Sequence, residues 1–420
     1  MNIKVNNLKN ILEHINWKES IDKYAKKRSQ ALLNLKENRE HFWFIDLGNE
    51  SELMKDIDLA NMYRSKWFKD IVVIWMWWST LWTRAIVNFI SWNENTYDWH
   101  SIHFVDNIDS DIVLKQMRSL DITNSLICFV SKSWTTVETN ALFKIYEREV
   151  HLFSNRENKD EQFIRIIEEW KVLSSEASNY WKTYKTIYTP KNVWWRFSVF
   201  TSSSLFPLAF LYQSNLSHLL EWINKQKEFI FNPDINKNES LKLAVIHYRF
   251  NKYWKDWWNA LVFFSYSDKL KMLWEWYKQL IWESLWKDWK WLMLFPAVWV
   301  VDQHSQLQLF NEWPKDKLVC FLTIKNRMTD LEVPWEKYSL DELMKAEKEW
   351  TEQSLIKAWV DNFTIELESS NSFEEIWKLM YMLEFQIAIL WEFYWMDVFN
   401  QPWVEEWKLI TKNILKNKYD

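Results

Sequence analysis

Ser131, Lys132, Ser133, Thr135 and Thr136 stand together in the run FVSKSWTTVET. A phosphate asks for such a set: several short donors and one positive charge in a small loop. A Ser/Thr-rich surface turn is the plainer reading. This cluster, however, directly follows the apolar run SLICFV, and the ends of buried parallel strands are where α/β proteins bind ligands. A second candidate is IVVIWMWWSTLWTRA, residues 71–85. A chain leaving a strand turns on Gly, Asn or Asp, which tolerate φ > 0; Trp is among the poorest choices. Read with glycine for Trp75, Trp77, Trp78 and Trp82, the run becomes strand, glycine turn, helix. Free N–H groups at that helix start would hold an anion, and Ser79 would add a hydroxyl. A dinucleotide site has a similar pattern, so this run alone does not choose between ligands. No Lys-Ser/Thr pair follows it, which excludes a P-loop.

The glycine reading has a compositional basis. The 420 residues include 34 Trp and 1 Gly, together 35. At the usual glycine share of about 7%, roughly 29 would be expected. Most Trp here are therefore expected at positions where the intended protein has Gly. UGA differs from the glycine codon GGA by one base, and a genome that uses UGA for Gly would give this pattern under a table that reads it as Trp. The competing reading is a Trp-rich surface for a membrane interface or carbohydrate stacking.

The remaining composition is that of an ordinary soluble globular protein. Net charge is −5 and 26% of residues are charged, so no basic footprint points to nucleic acid. Cys128 and Cys320 lie inside apolar runs and read as buried thiols of a reducing, cytoplasmic compartment. The N-terminus places Leu8, Ile11, Leu12 and Ile15 at helical spacing and lacks an apolar signal region. Residues 71–90 have the length of a membrane span, but Arg84, Ser79, Thr80 and Thr83 argue against one. His100 and His103 form an HxxH pair that reads as an ordinary strand or loop feature.

Strand-like runs alternate with helical patterns: 71–74, 126–130, then 260–264, 292–295 and 317–323. Two such series predict two doubly wound α/β domains with parallel central sheets flanked by helices, plus helical N- and C-terminal segments. The expected boundaries are a helical segment at 1–60, a first small domain at 61–185, a second large domain at 186–345 and a C-terminal helical segment at 346–420.

A family resemblance enters with NVWWRFSVFTSSSLFP. Read as NVGGRFSVFTSSSLFP, it resembles a signature of the glucose-6-phosphate isomerase family. FNQPWVEEWK, read as FNQPGVEEGK, resembles that family's second signature. SKSWTTVET and IWESLWKDWK resemble its phosphate loop and the segment bearing its catalytic glutamate. With 71–85 these five segments stand in family order between residues 71 and 408. The family has Gly where this chain has Trp75, Trp77, Trp78, Trp134, Trp194, Trp195, Trp282, Trp286, Trp403 and Trp407. Trp276 stands where an aromatic is expected, so some Trp are genuine.

The resemblance implies two sugar-isomerase (SIS) domains and reversible conversion of glucose 6-phosphate and fructose 6-phosphate, by ring opening and a cis-enediolate. Glu283 matches the base that moves a proton between C1 and C2; a carboxylate shielded from water can do this. Arg196 matches the fixed cation that stabilises the enediolate without acting as an acid. His304 and Lys408 match the ring-opening residues, and Gln401 a sugar contact. Ser79, Ser131, Lys132, Ser133 and Thr136 match the phosphate ligands. No cofactor and no metal are implied. The family's histidine crosses from a neighbouring subunit, which implies a homodimer with His304 contributed across the interface. No nucleic-acid or membrane partner is expected. Three other readings stay open: an isomerase that also accepts mannose 6-phosphate, a non-catalytic sugar-phosphate sensor, and an inactive Trp-rich product.

Overall fold

The structure is a computed structural model. It describes residues 1–420 except 10–16, 38–43, 45–49, 92–94, 132–135, 169–182, 191–192, 254–258, 287–291, 313, 396–409, 412 and 419–420. The chain divides into two compact units. One comprises Met1–Ile45, Asn88–Asn93 and Glu221–Val398; the other comprises Asp46–Val87, Glu94–Leu220 and Phe399–Asp420.

The strands are β1 (Asn2–Asn7), β2 (Asp70–Ile74), β3 (Thr96–Tyr97), β4 (His100–Val105), β5 (Ser125–Ser131), β6 (Phe163–Glu168), β7 (Lys185–Thr189), β8 (Ala260–Ser265), β9 (Met293–Val298), β10 (Lys317–Asn326) and β11 (Asp361–Ser369). The unit containing Asp46–Val87 is built on the order β3-β4-β2-β5-β6-β7. All its pairings are parallel except the short β3 edge. Ile74 stands level with Val105 on one side and Phe129 on the other. All seven residues of β5 are buried, as a strand covered on both faces requires. The helix Val137–Phe153 closes one face with Leu142, Phe143, Tyr146 and Val150 against Val72, Ile127 and Phe129.

The other unit has the order β1-β11-β10-β8-β9. Its four core strands are parallel, and β1 pairs antiparallel with β11. Its core joins Val262, Phe264, Val319 and Phe321 to Leu355 of the helix Leu340–Lys357. Two segments differ from the helical expectation. Asn2–Asn7 is a strand, because Ile3 and Val5 alternate with polar residues and β11 offers an unpaired edge. Asp361–Ser369, inside the expected C-terminal helical segment, is the neighbouring strand. Among the described residues, no helix is long and apolar enough to cross a membrane.

Two helix ends carry Trp in the left-handed slot of a Schellman cap. After the helix Glu50–Ser65, Phe68 donates to the Tyr63 carbonyl at 3.4 Å and Trp67 to the Arg64 carbonyl at 3.0 Å. After Leu340–Lys357, Val360 donates to Leu355 at 2.9 Å and Trp359 to Ile356 at 3.1 Å. These paired bonds define the Schellman cap, whose C′ residue has positive φ and is usually glycine. Here φ is 65° at Trp67 and 61° at Trp359. The apolar contact that accompanies the cap is also present, with Tyr63 and Phe68 ring centroids 5.5 Å apart.

Candidate active site

In the order β4-β2-β5-β6, the chain leaves β2 toward β4 and leaves β5 toward β6. The connections diverge between β2 and β5, and such a switch point is where open α/β sheets bind ligands. Both hydroxyl-bearing runs begin there. From β2 the chain passes through buried Trp75, whose N–H donates to the Val105 carbonyl at 3.2 Å. It then enters the helix Trp77–Ile90, whose third residue is Ser79. From β5 it leaves at Ser131, which is 4% exposed. Lys132 and Ser133 lie outside the described residues. Thr136 is the N-cap of Val137–Phe153 and makes no side-chain cap bond among the described residues.

A carboxylate missed by the sequence reading braces this corner. Asp106, just after β4, accepts Thr80 Oγ1 at 2.9 Å and pairs with Arg84 Nη2 at 2.8 Å. Thr80 and Arg84 both lie on the helix that begins at Trp77, so the pair ties its first turn to the neighbouring strand. Burial raises the Asp106 carboxyl, against the pull of Arg84 and Thr80. Arg84 also lies over the Phe104 ring, 4.8 Å from its centroid.

Arg196 sits in a short 3₁₀ turn, Trp195–Phe197, and is 3% exposed. Burying a guanidinium is costly unless anions face it. The FTSSS run that follows is held by its own hydroxyls. Thr201 Oγ1 donates to the Ser198 carbonyl at 2.9 Å and lies 2.7 Å from Ser203 Oγ; Ser204 Oγ lies 3.1 Å from Thr83 Oγ1.

Asp56, on the helix Glu50–Ser65, is buried and bonds to the Ser202 hydroxyl at the start of the helix Ser202–Tyr212. Burial pushes its carboxyl up to about 7; the Ser202 bond pulls it down and Glu52 pushes it up. An unfolded Asp titrates near ~3.9. Between these values the folded chain holds a proton that the unfolded chain has lost. Asp56 therefore makes stability fall as pH rises from about 4 to about 7. Asp56→Asn should flatten that slope and raise the urea midpoint at mildly alkaline pH, by a stability gain on the order of 1–3 kcal/mol. Parallel urea titrations of both chains across this window check it; an unchanged slope would refute the assignment.

In the unit containing Glu221–Val398, Glu283 lies near the C-terminal end of the helix Lys271–Leu285. It is half-buried, and Oε1 accepts Gln279 Nε2 at 3.0 Å. This helix returns from the carboxyl end of β8 to the start of β9, so Glu283 stands at the amino edge of the sheet. His304 is exposed on the short helix Val301–Ser305, which follows the carboxyl end of β9. Its neighbours Asp302 and Gln303 anchor the helix: Asp302 accepts the Val298 N–H at 2.7 Å, and Gln303 donates to the Glu347 carbonyl at 3.2 Å. Gln401 and Lys408 lie outside the described residues.

His100 and His103 are both on β4, with His103 Nε2 2.9 Å from Asp70 Oδ1. Burial lowers His100 to about 4, helped by Arg64. Among the described residues, no three His, Cys, Asp or Glu are grouped to hold a metal.

Fold and site define a two-unit, mostly parallel α/β protein with a switch point flanked by Ser79 and Ser131 in one unit and a helix-borne carboxylate in the other. The family model described as phosphoglucose isomerase matches residues 58–290, and the chain belongs to that family. It is 33% identical over 359 residues to the glucose-6-phosphate isomerase of Methanocaldococcus jannaschii, covering 83% of this chain and 85% of the relative. The glucose-6-phosphate isomerase of Carboxydothermus hydrogenoformans is 28% identical, with 94% and 90% covered. The crystal structure of a hypothetical protein from Thermus thermophilus superposes with a TM-score of 0.84 at 25% identity, covering 99% of both chains. A glucose-6-phosphate isomerase from Chlamydia trachomatis shares the fold with a TM-score of 0.76 at 17% identity, over 88% of this chain and 74% of the other.

Proposed function

We propose that this chain is a glucose-6-phosphate isomerase, interconverting glucose 6-phosphate and fructose 6-phosphate in the cytoplasm. The observation that supports the reading is that strands β2 and β5, from which the two hydroxyl-bearing runs set out, flank the switch point of a phosphoglucose isomerase family fold. Ser79, Ser131, Lys132, Ser133 and Thr136 hold the phosphate. Glu283 takes the proton from one carbon and returns it to the next. Arg196 faces the negative charge that develops on the enediolate oxygens, and its guanidinium has no proton to give at neutral pH. His304 and Lys408 serve ring opening, and Gln401 contacts the sugar. A coupled assay for fructose 6-phosphate formation tests the activity; absence of turnover by the active-site-intact, glycine-bearing chain would overturn it.

The working unit is a homodimer, and the sheet edges support this. Glu283 and His304 belong to opposite edges of one parallel sheet, separated by six-residue strands. At about 3.3 Å per residue that is ~20 Å, much farther than one hexose spans. A second copy can present its His304 to the first copy's Glu283. A mixing experiment separates the cases. Glu283→Gln and His304→Ala chains are each inactive, but co-refolded dimers should regain about a quarter of wild-type activity, since half the dimers are mixed and each has one complete site. If His304 serves its own chain, the mixture stays inactive.

The Trp excess reflects UGA used for glycine. Among the described residues, four of the seven non-glycine positions with positive φ are Trp: Trp67, Trp335, Trp359 and Trp395. A Trp-rich binding surface gives no reason for indoles to collect in backbone slots that favour glycine.

A further inference from the structure

The unit containing Glu221–Val398 holds a cavity of about 200 Å³. Its walls are the helix that ends at Ile230, the first turn of the helix Glu239–Tyr253 and the helix Phe373–Tyr394. Ser240 lines it, is 3% exposed and makes no hydrogen bond through its hydroxyl among the described residues. A buried hydroxyl is costly unless something takes its hydrogen bond. Ser240 is also the second residue of its helix, and the first N–H groups of a helix have no partner within it. Asn238 Oδ1 accepts that of Leu241 at 3.0 Å, which leaves those of Glu239 and Ser240.

Two lysines border the same space. Lys237 makes no ion pair among the described residues, and Lys378 Nζ stands 4.0 Å from Glu375 Oε1, beyond hydrogen-bond reach. The nearby carboxylates have other cations. Glu239 also borders the cavity, 3.9 Å from Lys242 Nζ, and Glu375 takes the Met1 amine at 3.2 Å. The local balance is therefore positive. Phe229, Tyr381 and Met382 supply an apolar wall.

We propose that this cavity binds a small phosphate monoester, with its phosphate on Ser240, the helix start, Lys237 and Lys378 and its organic part against Phe229, Tyr381 and Met382. Aligned N–H groups favour a phosphate at a helix start, and one hydroxyl and two ammonium groups add charge-assisted hydrogen bonds. Size limits the organic part. Pockets for drug-sized molecules hold roughly 300–1,000 Å³, so this smaller space suits a short-chain ester rather than a nucleotide. Its residues lie in Met1–Ile45 and Glu221–Val398, so none belongs to the set between Ser79 and Thr136.

Glycerol 3-phosphate is the probe, titrated calorimetrically into the full-length, active chain and into Ser240→Ala, Lys237→Met and the double variant Lys237→Met/Lys378→Met. Ser240→Ala should raise Kd at this site ~10-fold, and the double variant should lose one bound equivalent per chain. Each variant should keep the wild-type urea midpoint and, within about twofold, its turnover. Lys237 is exposed, so Lys237→Met should weaken binding without disturbing the fold. Inorganic phosphate should bind ~10-fold more weakly than the ester, because it leaves the apolar wall unused. Identical binding of the probe to all four chains overturns the proposal, whether or not the chain is an isomerase. Equal affinity for inorganic phosphate and the ester overturns the assignment of a monoester.

Discussion

Glu283→Gln is expected to lower kcat by ~10³–10⁴-fold while KM stays within a few-fold of wild type. The substitution keeps the length of the side chain and an oxygen that can accept from Gln279 Nε2, which now lies 3.0 Å from Oε1. Only basicity is lost. The proposed phosphate ligands, Ser79, Ser131, Lys132, Ser133 and Thr136, are not altered, so binding energy from the phosphate should be untouched. Loss of an interaction needed only in the transition state lowers kcat and kcat/KM together. Exchange of the C2 proton of glucose 6-phosphate with deuterated solvent gives a second readout, since it needs the base but not the complete turnover. Both turnover and exchange should disappear, while calorimetric binding of a sugar phosphate persists. Turnover within tenfold of wild type would exclude Glu283 as the base.

The sequence makes parts of this fold and site easy to see and leaves others hidden, for physical reasons. β2, β5, β8 and β10 appear as unbroken apolar runs because helices cover both faces of a parallel strand. Their hydroxyl-rich exits are local features and show directly. β1, β4, β6 and β11 do not separate as strands in the sequence. β11, DNFTIELES, alternates apolar and polar residues, and β4 contains two histidines and a serine. β1 is defined by the edge it meets, and that edge is contributed from more than 350 residues away. Asp56 and Asp106 carry no signal, because a single carboxylate in sequence looks like any surface residue. Only tertiary packing buries Asp56 beside Ser202 and sets Asp106 between Thr80 and Arg84.

The chain with tryptophan at every Trp position is expected to express as insoluble, inactive protein, and its counterpart with glycine at most of them as active isomerase. Local geometry explains why the difference should be so large. Trp67 and Trp359 fill C′ slots of Schellman caps, and Trp395 follows the helix Phe373–Tyr394 with φ 54° and ψ 47°. Trp335 follows Pro334 in a turn closed by the Glu336 N–H on the Val333 carbonyl at 3.0 Å, with φ 66°. Proline then positive φ is the type II turn, whose third residue is glycine by preference. These four indoles are all more than half exposed, so little burial offsets the backbone strain. Buried indole N–H groups add a second cost: those of Trp82, Trp222, Trp274 and Trp282 have no partner among the described residues. At ~1–3 kcal/mol for each strained backbone and each orphaned donor, these sites together rival the whole stability of a domain, ~5–15 kcal/mol. Trp276 has the same orphaned N–H, but it packs beside Tyr277 at 6.4 Å between ring centroids and stands at a position expected to be aromatic. It should remain tryptophan in the native protein. Tryptic-peptide mass spectrometry of native material settles the identities. Glycine is expected at 67, 335, 359 and 395 as well as at 75, 77 and 78. Tryptophan at the four positive-φ positions would overturn the decoding on its strongest ground, and equal solubility and turnover of the two recombinant chains would show that the substitution is harmless.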